Sequence, residues 1–247
     1  MQCVDIQTRD GMCPTWLHLP QGTGIWPAVI LYMDGPGIRP ALHRMARRLA
    51  EAGYAVLLPD LFYRSGAYEP VDPKVTFTDP VLRQAHREKY MAPVTPKAVM
   101  ADTEALLAFM ATRPDIKAGP VGVVGYCMGG RLALVTAATF PDRIVAAASY
   151  HGGGLANDTP GSPHLLAPRI KARVYVAGAI EDANFDDDQK QRLTQALAEA
   201  GVDHVVETRP ARHGWVPDDM PVHDPAEAEH HWLTLLALFG RSFDKAA

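Results

Sequence analysis

Cysteine is scarce in this chain: Cys3, Cys13 and Cys127 are the only three in 247 residues, at spacings that form no pattern. An odd number so placed argues against a disulfide framework and for a reducing compartment, where a thiol stays usable for chemistry. No Cys-x-x-Cys and no His-Glu-x-x-His occurs, so no metal site and no other cofactor is expected. No apolar run approaches the length needed to cross a bilayer. Met1–Asp5 begins no basic segment with an apolar core behind it, and the expectation is a cytoplasmic protein without a membrane partner. Basic excess is missing as well: 24 Lys and Arg against 28 Asp and Glu leave a net charge of −4. Nothing here forms the electrostatic footprint that nucleic acid requires.

What the chain does have is apolar content, 47% of it hydrophobic, enough for one large core and a single domain over residues 1–247. Strand-like apolar runs alternate with helical ones, which predicts a mainly parallel sheet flanked by helices on both faces. Cys3–Thr8 and Thr15–Leu19, split by Asp10-Gly11, read as an N-terminal antiparallel hairpin. Further strands are expected at Ala28–Met33, Tyr54–Pro59, Val121–Gly125, Ile144–Tyr150, Ala172–Ala177 and His204–Thr208. Helices are expected at Pro40–Ala52, across Val99–Met110, after residue 127, near Asp187–Ala200 and near Pro225–Phe239. Phe62–Pro96 is rich in Pro, Asp and charge and reads as a long excursion over the sheet with one short helix.

The run VGVVGYCMGGRLAL, Val121–Leu134, carries the chemistry. Gly125-Tyr126-Cys127-Met128-Gly129 fits G-x-nucleophile-x-G between a strand and a helix, an elbow that pushes its central side chain out over the sheet. A buried thiol in a glycine-rich turn is the plainer reading. The elbow is favoured by its flanking elements and by a histidine downstream. In α/β-hydrolases the acid and then the base follow the nucleophile. Asp182, just past the strand Ala172–Ala177, and His213, just past His204–Thr208, meet that order. Glu181, Asp186, Asp187 and Asp188 compete with Asp182, which is preferred as closest to the strand end. His204, His223, His230 and His231 read as surface residues, and His151, in His151-Gly152-Gly153-Gly154, as pocket lining. Oxyanion donors are expected at the N–H of Met128 and of Gly35, since Pro36 has none.

With these residues the chain resembles the dienelactone hydrolase family over nearly its whole length. The likeness rests on G-x-C-x-G-G at Gly125–Gly130, Y-A-V-L-L-P-D at Tyr54–Asp60, His213-Gly214-Trp215, and the tail Asp224–Phe239. It implies an α/β-hydrolase fold and hydrolysis of a small ester or lactone through a thioester on cysteine. It also implies an acidic residue after the first buried parallel strand that contacts the nucleophile, a position held here by Asp34, which equally suits a turn before Gly35. Where dienelactone-specific members carry an arginine after the catalytic histidine, this chain reads Trp215-Val216-Pro217-Asp218. Arg83 or Arg87 could supply a substrate cation, and Tyr126 and Trp215 are expected to line the pocket. A monomer or small homo-oligomer is expected. Two other classes stay open: a non-catalytic ligand-binding protein on the same fold, and a thiol redox or sensor protein using Cys127.

Overall fold

The computed structural model describes residues 1–244. In order, the chain forms β1 (Gln2–Gln7), β2 (Met12–His18), β3 (Trp26–Tyr32), α1 (Pro40–Glu51), β4 (Ala55–Pro59), α2 (Pro73–Thr76), α3 (Pro80–His86) and α4 (Pro96–Ala111). It continues with β5 (Ile116–Tyr126), α5 (Met128–Thr139), β6 (Ile144–Tyr150), β7 (Arg173–Ala179), α6 (Asp187–Glu199), β8 (His204–Arg209) and α7 (Pro225–Asp244). All eight strands form one sheet in the order β1-β2-β4-β3-β5-β6-β7-β8. β1, β2 and β4 pair antiparallel, and every pair from β4 to β8 is parallel.

The parallel strands inside the sheet read as mostly apolar runs because both their faces are covered, while the edge strand β8 is partly exposed. Alternation sends successive side chains of β5 to opposite layers. Tyr126 reaches His231 of α7, and a Cβ at Gly122 would touch Phe239 of α7. On the other face the Tyr32 hydroxyl bonds Thr103 of α4 and Thr136 of α5. Helix starts are written locally. Asp72, Asp79 and Thr95 each cap a helix whose first residue is proline, and Asp224 does the same before Pro225.

The strands and long helices expected from the sequence are present, with boundaries moved by a few residues. β5 starts at Ile116, where Trp26 pairs with it ahead of a register shift. The excursion after β4 is more ordered than a loop with one short helix. It holds a 3₁₀ turn (Tyr63–Ser65), α2, α3 and a π-helical turn (Arg87–Met91). Its aromatic side chains hold it together: Phe62, Tyr68, His86 and Tyr90 pack ring to ring, and Phe77 packs on His86. A 3₁₀ turn at Pro163–Arg169 has no periodic signal and is seen only in the structure. Among the described residues no helix is long and apolar enough to cross a membrane.

Candidate active site

Cys127 stands alone between the last residue of β5 and the first of α5, with φ 55° and ψ −116°. A non-glycine residue in that region is strained and persists only where its surroundings enforce it. Close packing does so here. A Cβ on Gly125 would fall 1.9 Å from the Gly129 carbonyl oxygen, and one on Gly129 would fall 2.6 Å from the carbonyl oxygens of Tyr32 and Met33. The Cys127 N–H is also held, shared between the Tyr150 carbonyl and His151 Nδ1, each at 3.1 Å. The thiol side chain stays partly exposed.

The loops after β7 and β8 emerge beside this turn, as C-terminal ends of parallel strands do. Ile180 N–H bonds the Ala211 carbonyl at 3.0 Å and ties the two loops together. Glu181 has φ 51° and is exposed, and the turn at this residue leaves Asp182 buried. Asp182 Oδ2 lies 2.7 Å from His213 Nδ1, and its Oδ1 accepts the Asn184 N–H at 2.9 Å and the Asn184 Nδ2 at 3.1 Å. Cys127 is the largest of the influences that raise the His213 pKa, which sets its side chain beside this ring. Since Asp182 takes Nδ1, Nε2 is the nitrogen left for sulfur. The competing carboxylates lie elsewhere: Asp186 caps α6 through Gln189 N–H, Asp187 pairs with Lys190, and Asp188 is exposed.

Burial alone would lower the His213 pKa, but the charge on Cys127 and the bond to Asp182 outweigh it and raise it to about 10. Burial would raise Asp182, yet His213 and the Asn184 donors hold it below the ordinary carboxylate value. An imidazole whose Nδ1–H is held by a buried carboxylate leaves Nε2 to take a proton from a nucleophile and return it to a leaving group.

Met128 opens α5, so its N–H has no partner within the helix. Gly35 lies in the turn after β3, closed by Gly37 N–H on the Asp34 carbonyl at 3.1 Å. In a planar trans peptide the N–H opposes the carbonyl, so the Gly35 N–H points out of that turn. The excursion covers this glycine: Met91 Cε and Phe77 Cε1 would lie 3.2 and 3.3 Å from a Cβ there.

Several expected site residues are placed differently. Both Asp34 carboxylate oxygens are bound by Arg39, at 2.6 and 3.0 Å, so this buried acid is committed to a guanidinium rather than to the thiol. Tyr126 is fully buried beneath the elbow with its hydroxyl 2.8 Å from His231 Nε2, a core position rather than a pocket wall. Trp215 is likewise fully buried, packed edge-on against His151 at 5.0 Å. His231, expected at the surface, is buried, and burial lowers its pKa to about 3. His151 does more than line a pocket: it is buried with φ 42°, accepts the Cys127 N–H, and sits 5.3 Å from the His213 ring. Arg83 and Arg87 are exposed on the excursion. Arg39 was not singled out by sequence, since an arginine before a proline carries no motif. Among the described residues no cluster of three or more metal-ligating side chains occurs.

The model of the dienelactone hydrolase family matches residues 14–243. A carboxymethylenebutenolidase of Rhodococcus opacus is 27% identical over 234 residues, covering 92% of this chain and 85% of that protein. A Synechocystis protein provisionally given the same name is 26% identical over 242 residues, covering 96% and 94%. The crystal structure of a provisionally named dienelactone hydrolase from Klebsiella pneumoniae superposes with a TM-score of 0.83 at 23% identity, covering 97% of each chain. That last likeness is one of fold, and the α/β-hydrolase fold expected from the sequence is the fold of this chain.

Proposed function

The chain belongs to the dienelactone hydrolase family, and from that premise we propose that it hydrolyses small esters or lactones with Cys127 as nucleophile, His213 as base and Asp182 as the acid that orients it. The observation that carries this reading is His213 bonded through Nδ1 to the buried Asp182 and set beside Cys127 on its strained elbow. The Cys127 sulfur attacks the substrate carbonyl, its proton held on His213 Nε2, and the negative oxygen is received by the Met128 and Gly35 N–H groups. Collapse breaks the ester C–O bond, and the departing oxygen takes the proton from His213. Water then attacks the thioester, giving a proton to His213. Collapse releases the carboxylic acid and returns the sulfur to its pairing with the imidazole. The second reactant is water, and every group named belongs to this one chain, acting as a single domain that needs no cofactor. A cytoplasmic setting suits the reaction, because it keeps the thiol reduced.

The substrate class follows from the cations. An unpaired carboxylate in the cleft would be costly, yet the buried Arg39 has its donors occupied. Asp218, which could have repelled an anion, is paired with Arg44 at 2.5 Å, so the preference rests on the commitment of Arg39 to its own acceptors. Neutral small esters and lactones are therefore the favoured substrates. A panel of matched neutral and carboxylate-bearing esters and lactones, run on wild type and Cys127→Ala, tests both points. Turnover of neutral members that disappears in the variant is expected. Turnover within a few-fold of wild type in the variant overturns the mechanism. A preference for anionic members that is lost in Arg83→Ala or Arg87→Ala overturns the substrate class.

A further inference from the structure

Arg39 is 2% exposed and sits at the start of α1. A guanidinium has five N–H donors in a fixed plane, and here each has an acceptor. Nε and Nη2 bind the two Asp219 oxygens at 2.7 and 2.9 Å. Nη1 and Nη2 bind the two Asp34 oxygens at 2.6 and 3.0 Å, and Nη1 also binds the Gly37 carbonyl at 3.0 Å. Asp34 and Gly37 belong to the turn that carries Gly35. Asp219 belongs to the loop that carries His213. One side chain therefore grips the two loops on which the proposed oxyanion donor and base are mounted.

The remaining contacts of the first loop make that grip directional. The Gly35 carbonyl accepts from His86 Nε2 at 2.7 Å, the Pro36 carbonyl accepts from the Tyr68 hydroxyl, and the Asp34 carbonyl is taken by Gly37 N–H. With the carbonyls of residues 34 to 37 all bound, the turn cannot rotate its peptide planes without breaking bonds. The His213 loop is tied to the loop after β7 through the Ala211 carbonyl and Asp182, and within itself through the carbonyls of Trp215, Pro217 and Met220. Its other links to α1 are Arg44 with Asp218 and, at the start of α7, Arg48 with Glu229. Both are solvent-exposed pairs, a kind that contributes little.

We infer that Arg39 is a positioning residue that fixes the Gly35 loop and the His213 loop relative to each other, so that oxyanion donor and base are aligned on Cys127 by a single guanidinium. This rests on the hydrolase reading above. It also accounts for Asp34: the carboxylate serves as the anchor on the first loop. Lysine keeps the charge but offers three donors on one atom, and it cannot hold two carboxylates and a carbonyl in one plane.

The test uses Arg39→Lys, Asp219→Asn and the double variant, with two readouts on the full chain. The first is the burst rate of acylation by p-nitrophenyl acetate. The second is the pH profile of Cys127 alkylation by iodoacetamide, a displacement at a saturated carbon that forms no oxyanion. Arg39→Lys is expected to slow acylation roughly 10- to 100-fold, the scale of a misplacement near 1 Å, with KM little changed. Asp219→Asn, altered at a partly exposed residue, is expected to slow acylation and to move the alkylation profile, because His213 is freed. The double variant should be no slower than the slower single one, since both act through the same guanidinium. Multiplying effects, or acylation within threefold of wild type in folded Arg39→Lys, overturns the proposal. Should Arg39→Lys fail to fold, an unmoved alkylation profile in Asp219→Asn overturns it as well. A wild type that no ester acylates would instead sink the hydrolase reading, and the alkylation profiles would still decide whether Arg39 holds the His213 loop.

Discussion

Replacing Asp182 by asparagine changes one oxygen to an amide nitrogen, and the structure shows why no orientation of that amide suits the site. Oδ2 faces His213 Nδ1 at 2.7 Å, and Oδ1 accepts two hydrogen bonds from Asn184. With its oxygen toward Asn184, the new amide points an NH₂ at Nδ1 and forces the imidazole into the tautomer that cannot accept from sulfur. With its oxygen toward His213, it points the NH₂ at the Asn184 donors. The amide loses either a hydrogen bond to a charged partner, about 1.5–3 kcal/mol, or two neutral ones, about 0.5–1.5 kcal/mol each. Borne by the transition state, about 1–3 kcal/mol corresponds to a roughly 5- to 160-fold fall in kcat/KM. Asp186→Asn is the control. Asp186 caps α6 by accepting the Gln189 N–H at 2.9 Å, and asparagine caps as well as aspartate, so stability and activity should change little. Steady-state hydrolysis of p-nitrophenyl acetate, with melting temperatures to confirm folding, measures both. Asp182→Asn within threefold of wild type, or Asp186→Asn falling as far, would refute the assignment.

Two further outcomes follow from the same geometry. Because the charge on Cys127 is the leading cause that raises His213 to about 10, Cys127→Ala should lower the His213 titration midpoint, read by NMR of the ring protons; an unchanged midpoint contradicts the pairing. The sign for stability is set by the raised value: the stabilisation from this pairing is present in full below the ordinary histidine value of 6.5 and lost as pH rises through about 10. The melting-temperature gap between wild type and Cys127→Ala should therefore narrow above that pH. Gly125→Ala should abolish soluble, folded protein or cut its stability by several kcal/mol, since the added methyl would lie 1.9 Å from a backbone oxygen that α5 cannot move; a variant with wild-type melting would show that the elbow is looser than described.

The fold was legible because its signals are periodic and local. Unbroken apolar runs such as Ala28–Met33 marked buried strands, and the helices expected to start at Pro40 and near Pro225 do so. Asp182 and His213 were legible through chain order and strand ends. The carboxylates that compete with Asp182 were separated only by the turn at Glu181, whose φ of 51° has no sequence signature. What stayed hidden depends on contacts between distant segments. Asp34 is defined by Arg39, and Arg39 in turn by Asp219, 180 residues away. Tyr126 and Trp215 stand close to Cys127 and His213 in sequence, but strand alternation and loop packing turn them into the core. The ordered excursion is held by ring packing among Phe62, Tyr68, His86 and Tyr90, which no local periodicity encodes.

The central claim is that Cys127 forms the covalent intermediate. Acid quench within the burst phase after mixing with p-nitrophenyl acetate, followed by peptide mass mapping, tests it directly. The account predicts acetyl mass on the peptide bearing Cys127, decaying at the turnover rate, accumulating in His213→Ala only slowly and absent in Cys127→Ala. An acetyl group found on another residue at the turnover rate, or full turnover in Cys127→Ala with no covalent species, would contradict it.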